Sequence, residues 1–146
     1  MSDRLELIKQ FNSEQSKLTY YIIALSVAAI GFSISKTIDQ QLELHLIVLG
    51  ASVLSWGLSI YCGFSFIKYR LSTNFANIEY FNIIEGKNSE VGSHPDKIKA
   101  ATEGIKSAMD TNSKRAGRFS KWHSQLFYVG IILFIVWHII NMITST

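Results

Sequence analysis

The sequence predicts an all-α membrane protein: three transmembrane helices, with the second and third prolonged into an antiparallel helical hairpin on the cytoplasmic side. Three observations predict it. Charges vanish from residues 18–35, 44–67 and 124–146 and crowd into the rest of the chain. Runs of about 18 to 24 residues, at about 1.5 Å of rise each, reach across a hydrocarbon core of about 30 Å. Lys and Arg are spread unevenly over the connections, and the segment 68–123 keeps helical periodicity on both sides of one Gly/Pro turn. A soluble bundle with the same 48% apolar content would leave too little polar chain to cover three wholly apolar helices.

The arm 1–17 sets Leu5, Leu7, Ile8 and Phe11 on roughly one side, which predicts an amphipathic helix running into the first span. The first span, 18–35, is not read as a signal peptide. Its leader mixes Asp3, Glu6 and Glu14 with Arg4, Lys9 and Lys17, the apolar run is long, and no small-x-small site follows. Residues 36–43 form an external loop, and 44–67 the second span.

Span two has no breaker at its inner end. Leu71, Phe75 and Ile78 form one stripe beyond it and Ala76, Tyr80 and Ile83 another, so the helix is expected to be contacted from both sides, as in an oligomeric stalk. The turn falls at 86–95 (GKNSEVGSHP), with Ser93 and Asp96 placed as a capping box. Ile98, Ala101, Ile105, Ala108, Met109, Asn112, Ala116 and Phe119 then mark a second helix, which leads into span three at 124–144. Spans two and three are thus expected to project as a hairpin over 68–123.

Charge sets the orientation. The arm has Arg4, Lys9 and Lys17, the short loop only Lys36, and the hairpin Lys68, Arg70, Lys87, Lys97, Lys99, Lys106, Lys114, Arg115, Arg118 and Lys121. The positive-inside rule places the N-terminus and hairpin in the cytoplasm and the C-terminus outside. Tyr20, Tyr21, Tyr69 and Trp122 beside the inner-end cations, and His45, Trp137 and His138 at the outer ends, read as interface anchors. No Asn-x-Ser/Thr acceptor occurs, which suits a bacterial inner membrane. Cys62, the single cysteine, can form neither an internal disulfide nor a cysteine cluster.

Two features carry candidate function. Span two is rich in small residues: Ala51, Ser55, Ser59 and Gly63 recur every fourth position, with Gly50 and Gly57 one heptad apart. Ser52, Ser55, Ser59, Gly57 and Gly63 therefore read as a helix-packing face, within one subunit or between subunits, or as a pore wall. The second feature is the end of the basic segment. Charges alternate from Lys99 to Lys114, but no acid follows Asp110, leaving Lys114, Arg115, Arg118 and Lys121 beside Phe119 and Trp122. That pattern fixes topology and meets anionic headgroups. It also fits an anionic ligand, a nucleotide or single-stranded nucleic acid, with cations on phosphates and Phe119 under a base.

Acidic or basic groups at membrane depth, which proton-coupled transporters and voltage sensors use, are missing from the spans. No Ser-His-Asp set, phosphate-cradling glycine loop or paired-carboxylate cluster is legible, and His45, His94, His123 and His138 lack metal-ligand spacing. The reading is non-enzymatic, with no cofactor and no metal.

The stretches SWGLSIYCG (55–63) and WHIINM (137–142) resemble a set of small bacterial inner-membrane proteins. The layout of the whole chain resembles membrane effectors of bacterial anti-phage systems, in particular the membrane partner of the Hailong system. That resemblance implies an oligomeric channel controlled by an oligonucleotide that a companion nucleotidyltransferase makes. It assigns no residue a role. The expected function is a homo-oligomeric channel or membrane-disrupting effector gated through the basic hairpin. The alternative is a non-conducting membrane scaffold whose hairpin recruits a cytosolic partner.

Overall fold

The computed structural model describes residues 2–38, 44–92 and 94–144. The expected capping residue Ser93 and the stretch 39–43 of the external loop lie outside the described residues, as do the side chains of Leu5, Ile8 and His45. Three helices make up nearly all of the rest: α1 (Ser2–Thr37), α2 (Leu44–Ile84) and α3 (Pro95–Thr144), with no strand among the described residues. Each is long and apolar enough to cross a membrane.

Continuity of the helices follows from where the breakers are. The only proline, Pro95, sits at the first turn of α3, where its missing N–H costs nothing; the Ile98 amide bonds back to the His94 carbonyl, so His94 caps the helix. α2 ends in a Schellman motif. The Lys87 amide donates to the Asn82 carbonyl at 2.8 Å and the Gly86 amide to Ile83 at 3.1 Å, with Gly86 at φ 71°. A side chain at Gly86 would be strained in that conformation, so the glycine fixes the stop. Asn88 then accepts from the amides of Glu90 and Val91 in an Asx turn. Exposed Lys87 donates a hydrogen bond to the Glu85 carboxylate, which raises the lysine's pKa above its ordinary value.

The chain divides into two compact units, Met1–Phe64 with Ser120–Thr146, and Ser65–Phe119. In the first, three helical segments run up, down and up. Gly63 of α2 lies against both Ile23 of α1 and His123 of α3, whereas Phe32 meets Phe134 further along, so α1 and α3 are parallel. Buried positions repeat at three- and four-residue steps: Thr19, Ile22, Ser26 and Ser33 on α1; Leu49, Ser52, Trp56, Ser59 and Gly63 on α2; and every seventh residue, His123, Gly130 and Trp137, on α3. This is coiled-coil patterning with small and polar residues at the seam, as suits helices that gain nothing from segregating apolar groups from lipid. Leu25, Val27, Leu54, Leu58, Ile132 and Ile139 point outward instead and are exposed.

The second unit is a pair of antiparallel helical segments. Contacts pair rising numbers on α2 with falling ones on α3: Tyr69 with Phe119, Ser72 with Asn112, and Tyr80 with Lys106. Phe66, Ile83 and Ala116 are its buried apolar side chains. Of the two apolar stripes expected on α2, Tyr80, Ile83 and Ala76 are at least half-buried, while Leu71, Phe75 and Ile78 stay exposed.

Candidate functional sites

The small-residue set of α2 does not stay together. Ser52 and Ser59, two turns apart, are fully buried and face α3. Ser52 Oγ donates to the Gly130 carbonyl at 2.7 Å, and Ser59 Oγ donates to the His123 carbonyl at 2.8 Å. The two rungs share a seven-residue spacing on both helices. Gly63 is buried as well, and a Cβ there would come within 2.9 Å of the His123 ring. Ser55 is half-buried, and Gly57 is exposed with nothing near its Cβ position. Hence Ser52, Ser59 and Gly63 hold α2 to α3 within one chain, and Gly57 looks outward beside Gly50, Leu54 and Leu58.

His123 is the residue that sequence reasoning passed over. Its spacing in the sequence argues only against a metal role, yet it is buried at 2% exposure in the first unit. Its Nδ1 lies 2.7 Å from the Ser59 carbonyl and 3.0 Å from Ser59 Oγ. A carbonyl can only accept, so Nδ1 carries a proton. Nε2 is buried without a partner. With the Ser59 proton given to a carbonyl and the facing ring nitrogen protonated, Ser59 has no base to activate it. The pair works as an interhelical clasp. The available signal was the seven-residue register of His123, Gly130 and Trp137, which puts all three on the face that packs.

Gly130 is the second residue missed. The indole of Trp56 fills the space a Cβ would take there, with Cδ1 2.6 Å from that position. Trp56 then leans on Phe134 at 5.8 Å between centroids, and Phe134 on Trp137 at 5.4 Å. Aromatic rings thus fill the first unit toward the C-terminal end of α3.

Among the predicted ligand residues, Lys114, Arg115 and Arg118 are exposed in the second unit, and Lys121 is exposed in the first. Lys114 is paired with Asp110 at 2.6 Å, and the Arg115 guanidinium lies 5.7 Å over the Tyr69 ring. Phe119 is half-buried, stacked on Tyr69 at 5.6 Å and 13°. One face of the expected base-stacking ring is therefore already covered by a neighbour. No cluster of His, Cys, Asp or Glu able to hold a metal occurs among the described residues.

No protein-family model matches this chain, and neither the curated proteins nor the solved structures hold a match to it.

Proposed function

We propose that this chain is the subunit of a homo-oligomeric channel or membrane-disrupting effector, gated through its basic hairpin. The observation that carries the reading is the bare apolar stripe of the second unit. Leu71, Phe75 and Ile78 are 63%, 66% and 59% exposed, at steps of four and three residues on one helix face. Lys68, Arg70, Glu79 and Glu85 share that segment, so hydrocarbon is not its solvent. An apolar stripe facing water marks an interaction surface. Three spans are too few to enclose a path alone, and identical copies packing stripe to stripe around one axis supply the missing walls.

In this reading the assembly sits in a bacterial inner membrane with its N-terminus and hairpin cytoplasmic and its C-terminus external, as the charge bias favours. Arg115, Arg118 and their symmetry copies converge near the membrane and attract an anionic trigger. A nucleotide or oligonucleotide from a companion nucleotidyltransferase, in an anti-phage role, is the candidate. A pore wall of small, hydroxyl and apolar groups gates by constriction or dewetting. The scaffold alternative uses the same stripe for a cytosolic partner.

Planar-bilayer recording of the purified full chain tests the proposal. Step-like conductance that responds to added oligonucleotide supports it. A silent membrane under every ligand condition, with a stoichiometric cytosolic partner recovered by pull-down, replaces it with the scaffold.

A further inference from the structure

A cavity of about 390 Å³ lies in the first unit between α1 and α3, lined by Phe32, Lys36, Phe134, Trp137, His138 and Asn141. That volume falls in the range of small-ligand sites, roughly 300–1,000 Å³. Its lining is ordered along the helix axes. Phe32 and Phe134 stand level, their rings edge to face at 6.2 Å, and Trp137 packs on Phe134. Lys36 lies one turn beyond Phe32, and His138 and Asn141 lie one and two turns beyond Phe134, toward the C-terminal ends of both helices. Aromatic rings therefore line one end, and Lys36, His138 and Asn141 line the end toward the helix C-termini.

Charge narrows the occupant. Lys36 Nζ rests 5.7 Å over the Phe32 ring and makes no ion pair among the described residues, and no carboxylate lines the cavity. A phosphate oxygen is the natural partner for that ammonium. Both helices, however, end here at their C-termini, each worth roughly half a negative elementary charge. A simple anion would face both ends. A zwitterion would not: its phosphate meets Lys36 and its ammonium meets the terminal carbonyls. Both walls are helices long and apolar enough to cross a membrane, so lipid lies within reach of the site.

We propose that this cavity is a site for a zwitterionic phospholipid of the phosphatidylethanolamine kind. One acyl chain lies among Phe32, Phe134 and Trp137, and Lys36 holds the phosphate. The inference stands apart from the proposed function, since a lipid can occupy the site whether or not the assembly conducts.

Native mass spectrometry of the full chain in detergent, titrated separately with phosphatidylethanolamine, phosphatidylglycerol and palmitate, tests it. Phosphatidylethanolamine should be retained at one per chain and in preference to the other two. Lys36→Glu should weaken it by about tenfold or more, the scale of one charge-assisted hydrogen bond, and Lys36→Arg should keep it. Lys36 is exposed, and matched helical circular dichroism of the variants will verify their fold. Phosphatidylethanolamine brominated on its acyl chain should quench tryptophan fluorescence, less so in Trp137→Phe. Tighter binding of phosphatidylglycerol or palmitate, unchanged affinity in Lys36→Glu, or quenching indifferent to Trp137 would overturn the assignment.

Discussion

Ser59 and His123 exchange hydrogen bonds through both backbone and side chain: the serine hydroxyl donates to the histidine carbonyl, and the imidazole Nδ1 donates to the serine carbonyl. Bonds of this kind between membrane helices are worth about 0.6 kcal/mol on average and up to about 1.7. Ser59→Ala should destabilise the first unit by about 1 kcal/mol. His123→Ala should cost more, about 2–4 kcal/mol, because it also empties a packed position. Each bond ends on a backbone carbonyl that survives truncation of the other side chain, so the two losses should add to within about 0.5 kcal/mol in reversible unfolding in mixed micelles. A Ser59→Ala variant as stable as the parent would show that its bond contributes nothing beyond packing.

Two glycines that look alike in the sequence should behave oppositely. At Gly130 a Cβ meets the Trp56 indole, so Gly130→Ala should lower stability by about 1–3 kcal/mol, measured as a drop in thermal midpoint. At Gly57 the space is open, and Gly57→Ala should be neutral or gain up to about 1 kcal/mol from helix propensity. The informative change is Gly57→Leu. If copies pack on this face, it should abolish oligomers while leaving the helical signal of the single chain intact.

These residues also show what was legible beforehand. The three apolar helices could be read directly, because charge exclusion over membrane-length runs has few other causes. The turn at 86–95 was readable from its glycines and its proline, and Gly86 carries the φ that demands it. Partners were harder. Ser52, Ser55, Ser59, Gly57 and Gly63 share a composition, but a 3.6-residue turn distributes them around the helix, and sequence does not say which side α3 will take. Nothing in the sequence marks His123 as a hydrogen-bonded core residue, because its partner Ser59 lies 64 positions away. Phe119 was offered as a platform for a base, and only the antiparallel register reveals that Tyr69 lies on it.

The exposed stripe of the second unit gives the most direct test of assembly. Leu71→Gln, Phe75→Gln and Ile78→Gln together should reduce the purified protein to a monomer by native mass spectrometry. The hairpin itself should stay folded, since Phe66, Ile83 and Ala116 remain buried on its inner side. Polar groups on one surface seldom shift the fold by more than about 0.5 kcal/mol each. An oligomer that survives the triple change would move the subunit contact into the membrane spans, with Gly57 as the next place to look.

Salt dependence separates a phosphate-binding role for the basic segment from a purely topological one. Each phosphate contact to a single strand contributes a slope of about −0.7 to the logarithm of affinity against the logarithm of salt. Arg115→Glu with Arg118→Glu should therefore flatten that slope by about 1.4 or more for a short oligonucleotide, measured by fluorescence anisotropy between low and physiological salt. Lys114→Gln should do less, because that ammonium is already committed to Asp110. Phe119→Ala provides the contrast. Its ring is stacked on Tyr69, so the change should lower hairpin stability and leave the salt slope where it was. A slope that falls with Phe119→Ala and not with the arginines would place the strand on the aromatic surface, and would take the phosphate-reading role away from Arg115 and Arg118.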